Sequence, residues 1–179
     1  MLLSRRILSP AGYLLAGLLF LLPFVTLNID SPLVRGGADW SGFDLTVGGE
    51  PSISLNIIWY GEDGGLRTEA TTIEAFYGDE RADQFLPHRF LHSQALAIAA
   101  AVMALAGLLS GVLAGERVQA LVAALAGLGA ATCLSIAEAR AVGFTGPYTR
   151  PDYGFWLALC VLLALGIANA LHAIRLRHA

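Results

Sequence analysis

Four long runs without Asp, Glu, Lys or Arg constrain this 179-residue chain more than any other feature. They cover residues 7–29, 93–115, 118–137 and 153–174. Each is about as long as the ~20 apolar residues that a helix needs to cross a bilayer. Charged residues are only 14% of the chain and lie almost entirely between the runs, whereas a soluble protein would spread them along every helix. The sequence therefore predicts a small multi-pass membrane protein.

The predicted fold class is membrane all-α with a small β insertion: a four-helix transmembrane bundle plus a β-hairpin or small sheet between helices 1 and 2. The predicted units are a short N-terminal piece with transmembrane helix 1 (1–29), an extracytoplasmic domain (30–92), helix 2 (93–115), helix 3 (118–139), a second outer loop (140–152), helix 4 (153–174) and a tail (175–179).

Alternating apolar and polar residues predict the strands of the water-facing domain. Residues 41–47 alternate, with Phe43, Leu45 and Val47 on one face, and residues 52–60 alternate again. Gly36-Gly37, before the first of these stretches, indicates a turn. Residues 66–77 fit either a third strand or a short helix.

Arginine density sets the predicted orientation. The two termini and the turn near Arg117 are short and rich in arginine, which favours a cytoplasmic location for both termini and an extracytoplasmic location for residues 30–92. All 11 basic residues are Arg, which favours a bacterial source, so the predicted location is the bacterial inner membrane.

Glycines at four-residue spacing mark helix 2. Gly107, Gly111 and Gly115 form one stripe on which another helix can approach closely, and Ala124 and Gly127 of helix 3 offer a similar small-residue face. The stripe either packs the hairpin of helices 2 and 3 or forms a seam for assembly with another chain.

Two polar residues within or near the spans are candidates for function. Glu138 lies where helix 3 meets the outer interface, and it fits either a salt bridge with Arg140 or Arg89 or a role with a proton or ion. Asn169 lies inside helix 4, where an interhelical hydrogen bond is the commoner role.

His88 and His92 have the spacing of two metal ligands on one helix face, although surface histidines would have the same spacing. Asp83, Glu138 or Asp152 would have to supply further ligands. The sequence holds no nucleotide, hydrolase, metalloprotease or haem motif. We therefore predict a protein that is not an enzyme, needs no cofactor and binds no nucleic acid.

Two segments resemble parts of small, mostly uncharacterised bacterial four-helix membrane proteins. In this chain, the first segment carries Pro23, Phe24 and Val25 with Ser41, Gly42, Asp44, Leu45 and Gly48. The second carries Tyr153–Leu157 with Asn169. The resemblance implies the four-helix layout and no activity. The layout is also similar to that of claudins and related tetraspan proteins, by analogy of architecture only.

The function predicted from these features is that of a non-catalytic membrane subunit. Its partners would be the lipid bilayer and either further copies of the chain or a larger membrane complex, contacted through helix faces and the extracytoplasmic domain. The alternatives are a transport or channel component that uses Glu138 and Asn169, and an extracytoplasmic ligand or metal sensor.

Overall fold

A computed structural model describes residues 2–30, 34–47, 52–60, 66–71, 91–112, 115–145 and 149–178. The elements in chain order are α1 (Leu2–Leu19), β1 (Pro23–Asp30), β2 (Val34–Ser41), α2 (Gly42–Val47), β3 (Ser52–Tyr60), β4 (Leu66–Thr71), α3 (Leu91–Leu109) with a single 3₁₀ turn (Ser110–Val112), α4 (Glu116–Thr145), β5 (Thr149–Pro151) and α5 (Tyr153–His178).

Among the described residues, three helices are long and apolar enough to cross a membrane. The apolar segments are Gln94–Val112 in α3, Glu116–Arg140 in α4 and Tyr153–Arg177 in α5, with mean hydropathies of 2.3, 2.0 and 2.2. They correspond to predicted helices 2, 3 and 4, and they are compatible with a multi-pass membrane protein.

The first uncharged run differs from the prediction of a single spanning helix over residues 7–29. The helix ends at Leu19, and the run continues as strand β1 from Pro23. Pro23 lacks the N–H that a helix interior needs, and the β-branched Val25, Thr26 and Ile29 that follow favour a strand. The apolar helical part of this run is the shorter segment Ser9–Leu19.

The strands form one five-stranded antiparallel sheet in the order β4-β3-β2-β1-β5. The prediction of a small sheet with a strand at residues 52–60 agrees with β3, and the ambiguous segment at 66–77 is strand β4 over its first part. The sheet also contains β5, which comes from the predicted second outer loop and pairs with β1.

Two local predictions in this domain are wrong. The predicted turn at Gly36-Gly37 is strand β2, in which a Cβ on Gly37 would lie 2.7 Å from the carbonyl oxygen of Leu27 on β1. The predicted strand at 41–47 is helix α2. Ser41 Oγ accepts a hydrogen bond from Asp44 N at 3.1 Å, and Asp44 Oδ2 accepts one from Ser41 N at 2.9 Å. This reciprocal capping box favours a helix.

The helix boundaries also differ from prediction at the connection between α3 and α4. Glu116 and Arg117 belong to the first turn of α4, and Gly115 before them has a φ of 96°, a conformation suited to glycine. At its other end α4 continues to Thr145, so it is longer than the predicted helix.

The helices pack as an antiparallel bundle with the sheet at one end, which we call the sheet end. α4 packs against both α3 and α5, and α1 packs against α3 and α5. Small side chains fill much of the contact surface, which lets the backbones approach closely. The buried alanines include Ala97, Ala100, Ala104, Ala123, Ala126, Ala130 and Ala158.

Candidate functional site

The junction between the sheet and the bundle contains the most unusual polar groups of the described structure. On the helix-facing side of the sheet, Val25 of β1 is paired with Trp40 of β2, and Leu27 is paired with both Ala38 and Thr149. Val25, Ala38, Trp40 and Thr149 are buried. The apolar sheet face therefore covers the end of the bundle, and Thr149 brings a hydroxyl group into it.

Aromatic rings connect the end of α1 with the start of α5 at this junction. The ring of Phe24 lies 5.1 Å from that of Phe20 and 6.4 Å from that of Phe155, the second contact being edge to face. A Cβ on Gly42 would lie 2.8 Å from the Phe24 ring. The start of β1 and the start of α5 thus pack against each other.

Asp152 fixes the start of α5 to β1. Its Oδ1 accepts a hydrogen bond from Tyr153 N at 2.6 Å, and its Oδ2 accepts one from the Thr26 hydroxyl at 2.7 Å. Its own N–H donates to the Phe24 carbonyl oxygen at 2.7 Å. Asp152, considered from the sequence as a further metal ligand, therefore caps a helix and anchors the sheet.

Glu138 is only 5% exposed, and its Oε1 has no hydrogen-bond partner among the described residues. It lies about two turns before the end of α4, the helix that contacts both β1 and β5. The predicted pair with Arg140 is not formed: Arg140 is exposed and, two positions further along the helix, points away from Glu138. Arg89 lies outside the described residues.

Thr149, like Glu138, is buried and has a side-chain oxygen without a hydrogen-bond partner among the described residues. It is 3% exposed, and its Oγ1 has no hydrogen-bond partner within the described part of the chain. Buried polar atoms are nearly always hydrogen-bonded in folded proteins, so each such atom calls for an explanation. The junction therefore holds a buried carboxyl group and a buried hydroxyl group whose hydrogen-bonding capacity is not met by the described chain.

The glycine stripe lies against α1 of the same chain. A Cβ on Gly107 would lie 2.5 Å from the Tyr13 ring, and one on Gly111 would lie 2.7 Å from Pro10. Across the bundle, a Cβ on Gly127 would lie 2.7 Å from the Tyr13 hydroxyl and 2.8 Å from Gly166 of α5.

The remaining small residues divide into two kinds. Ala124 is buried in the bundle, whereas Gly115 is exposed and has no atom near its would-be Cβ among the described residues. Close intramolecular packing therefore accounts for Gly107, Gly111 and Gly127, and a role of the stripe in assembly stays a prediction.

Asn169 makes an interhelical hydrogen bond. Its Nδ2 donates to Ser9 Oγ on α1 at 3.2 Å and to the Leu165 carbonyl oxygen at 2.8 Å. Because Gly127 and Gly166 lie side by side, the helical rise places Asn169 and Glu138 about 20 Å apart along the bundle axis. The two proposed polar waypoints therefore do not form one site.

The predicted metal pair lies largely outside the described residues. His88 is not among them, and His92 is placed only as part of the α3 backbone. The described part of the chain holds no group of three or more His, Cys, Asp or Glu that could bind a metal ion. The metal site stays a prediction.

Sequence reasoning singled out Glu138 but missed the structural importance of Tyr13 and Thr149. Tyr13 is 1% exposed, and its hydroxyl donates a hydrogen bond to the main-chain carbonyl oxygen of Ala123. A tyrosine in the middle of an apolar run is a usable signal, since a buried phenol needs a hydrogen-bond partner. Thr149 carried no such signal, because its burial depends on a strand formed with a distant segment.

Comparison of the chain with protein-family models, with curated proteins and with solved structures gave no match.

Proposed function

We propose that this chain is a non-catalytic, multi-pass membrane subunit that assembles with itself or with a larger membrane complex. The observation that carries the proposal is the fixed attachment of a sheet with an exposed polar face to a bundle of apolar helices. Thr26 and Asp152 join β1 to α5, and Phe24 packs against Phe155, so the sheet has a defined position on the bundle.

The outer sheet face has the composition of a surface that contacts water or another protein. Thr26 of β1 is paired with Asp39 of β2 and with Arg150 of β5, so these side chains share the face opposite Val25 and Thr149. Asp39 and Arg150 are exposed, as is Asn28 further along β1. Charges of both signs suit a selective protein contact better than binding to a uniformly anionic surface.

The polar groups inside the bundle support a scaffold role. Tyr13 and Asn169 both use their side chains in hydrogen bonds to another helix of the bundle, Tyr13 to the Ala123 carbonyl oxygen of α4 and Asn169 to Ser9 Oγ of α1. Such groups stabilise one arrangement of the helices. Large apolar side chains on α3 and α5, such as Val102 and Ile167, remain exposed for lipid or partner helices.

The proposed setting is the bacterial inner membrane with both termini in the cytoplasm and the sheet outside. Arginines near the chain termini and at the start of α4 support this orientation. Reporter fusions at the C-terminus and within residues 61–65 would test it. A C-terminal fusion active only outside the cytoplasm would contradict it.

The assembly is tested by native mass spectrometry after gentle extraction from the source membrane. We expect a mass above that of one 18.9 kDa chain, from further copies or a second polypeptide. The variant Asp39→Arg/Arg150→Asp exchanges two exposed charges of the sheet face and should weaken the assembly, whereas Arg177→Ala, at an exposed charge on the opposite end of the bundle, should not. Extraction of the chain as a monomer under the mildest conditions would overturn the proposal.

The glycine stripe is unsuitable for this test. Leucine at Gly107 or Gly111 would collide with Tyr13 or Pro10 within the same chain and would disturb the monomer itself. Loss of an oligomer in such a variant would therefore not identify an intermolecular seam.

A second candidate function is that of a transport component that uses Glu138. The specific observation in its favour is the buried Oε1 without a partner among the described residues, because ionisable groups inside membrane proteins often mark ion or proton pathways. It predicts that Glu138→Gln abolishes an ion- or proton-dependent flux in proteoliposomes, whereas Asp39→Asn, at an exposed carboxyl group, does not. Equal flux in wild type and Glu138→Gln would exclude this role.

A further inference from the structure

The short helix α2 leaves two large apolar side chains uncovered. Phe43 and Val47 are 51% and 54% exposed, and their four-residue spacing places them on the same side of the helix. Leu45 points the other way and is buried in the core. A strand would have put Phe43, Leu45 and Val47 on one face. Because the segment is a helix, Leu45 is buried while Phe43 and Val47 are exposed on the other side.

Hydrogen bonds fix α2 at the level where the apolar helices begin or end. Phe43 N donates to the Phe20 carbonyl oxygen at 2.7 Å, immediately after the end of α1. Gln94 Nε2 donates to the Thr46 carbonyl oxygen at 3.4 Å, and Gln94 is the first residue of the apolar segment of α3. Both ends of α2 are thus attached to the sheet end of the bundle, beside the start of a candidate membrane span.

Other exposed apolar side chains occur where the neighbouring helices begin or end. Leu21 follows α1 and is 63% exposed, and Tyr153 and Trp156 in the first turn of α5 are each 52% exposed. Tyr and Trp are enriched where a membrane protein crosses the boundary between lipid and water. Phe43 and Val47 therefore lie at the same end of the bundle as these exposed apolar and aromatic side chains.

We propose that α2 is an interfacial anchor whose Phe43 and Val47 insert into the boundary between the acyl chains and headgroups of the bilayer. Apolar side chains on one face of an amphipathic helix bind membranes in this way. Lipid is favoured over a partner protein because the two side chains lie at the end of the bundle where the candidate membrane spans begin or end and where Tyr153 and Trp156 are also exposed. The anchor holds the sheet directly against the membrane surface, and it rests on the membrane placement in the proposed function.

Site-directed spin labelling tests the anchor on the full chain in phospholipid nanodiscs. The two cysteines, Cys133 and Cys160, are first replaced by Ala. Single nitroxide labels are then placed by Phe43→Cys and Val47→Cys, with Asp39→Cys as the water-exposed control and Val102→Cys as the control on the exposed face of α3. Collision rates with molecular oxygen, which concentrates in lipid, and with a water-soluble nickel chelate are compared at each position.

We expect the ratio of oxygen to nickel collision rates at Phe43 and Val47 to exceed that at Asp39 several-fold and to lie below or near that at Val102. Because both labels replace exposed side chains, each serves as an independent check on the other. A ratio at both positions equal to that at Asp39 would overturn the anchor.

Two further outcomes would also overturn it. Labels shielded from both reagents would indicate a protein contact, and dipolar broadening that disappears on dilution with unlabelled chain would indicate a second copy. The Val102 control separates this proposal from the membrane placement: lipid access at Val102 without access at Phe43 removes only the anchor, whereas water access at Val102 removes the membrane placement itself.

Discussion

The hydroxyl of Tyr13 on α1 donates a hydrogen bond to the main-chain carbonyl oxygen of Ala123 in α4. The ring passes directly over Gly107 of α3, and its hydroxyl lies over Gly127 of α4. One side chain therefore joins three helices at the middle of the bundle. The glycines are required there because any Cβ would occupy the space of the phenol.

The first prediction concerns the fit of Tyr13 against Gly107. Gly107→Ala would place a methyl group 2.5 Å from the ring, and overpacking of this kind costs about 1–3 kcal/mol. We expect a lower thermal unfolding midpoint in detergent micelles. Gly17→Ala on α1 is the matched control, because nothing described lies within 4 Å of its would-be Cβ.

A double-mutant cycle separates this contact from general effects of alanine in the helix. Tyr13→Leu removes the ring, so the added cost of Gly107→Ala should be smaller in that background. Equal costs of Gly107→Ala with Tyr13 and with Leu at position 13 would show that the ring is not the cause.

A second prediction concerns the hydroxyl of Tyr13 alone. Tyr13→Phe keeps the ring but removes the hydrogen bond to Ala123, which we expect to cost about 1 kcal/mol. Equilibrium unfolding in mixed micelles would measure the difference. A Tyr13→Phe chain as stable as the wild type would mean that the hydrogen bond contributes nothing net.

How well the sequence predicted each helix or strand depends on the length of the residue pattern that indicates it. Runs such as Val118–Ala137 contain enough consecutive apolar residues to identify a long helix, and the structure contains those helices. The seven residues from Ser41 to Val47 are too few to distinguish a strand from a helix. The same residues show both the alternation of a strand and the Ser41–Asp44 capping box of a helix. In the folded chain the capping box is formed, and residues 42–47 are helical.

Long-range pairing accounts for other differences. Gly36 and Gly37 have the composition of a turn, but Gly37 lies in a strand where the Leu27 carbonyl group comes close. β5 exists only because residues 149–151 meet β1, more than 100 positions earlier in the chain. Glu138 was identified because an acid beside an apolar run is rare, whereas the burial of Thr149 could follow only from the sheet.

The third prediction concerns Asp152 as the cap of α5 and its link to β1. Asp152→Ala removes the acceptor for Tyr153 N and for the Thr26 hydroxyl, and loss of these hydrogen bonds should cost about 1–3 kcal/mol. Asp152→Asn keeps an acceptor and should cost less. Thermal unfolding of both variants would test this order.

The sheet attachment gives the Asp152 prediction a second readout. Thr26→Val removes only the hydroxyl that bonds Oδ2, so its effect should be non-additive with that of Asp152→Ala. Hydrogen exchange of the β1 amides should increase in Thr26→Val if this bond holds the sheet to α5. Unchanged exchange together with additive stabilities would show that the bond is not an attachment.

The last prediction concerns the buried polar groups Glu138 and Thr149. If the junction binds nothing, each group carries the penalty of a buried atom without a partner, about 1–3 kcal/mol. Glu138→Met removes the buried carboxyl group with little change of length, and Thr149→Val removes the hydroxyl. We expect both variants to be at least as stable as the wild type in detergent micelles, with Asp39→Asn as a neutral control at an exposed carboxyl group. A clear loss of stability in Glu138→Met that is seen in the native membrane but not after extraction would instead show that a bound cation or a partner group satisfies the carboxylate in the membrane.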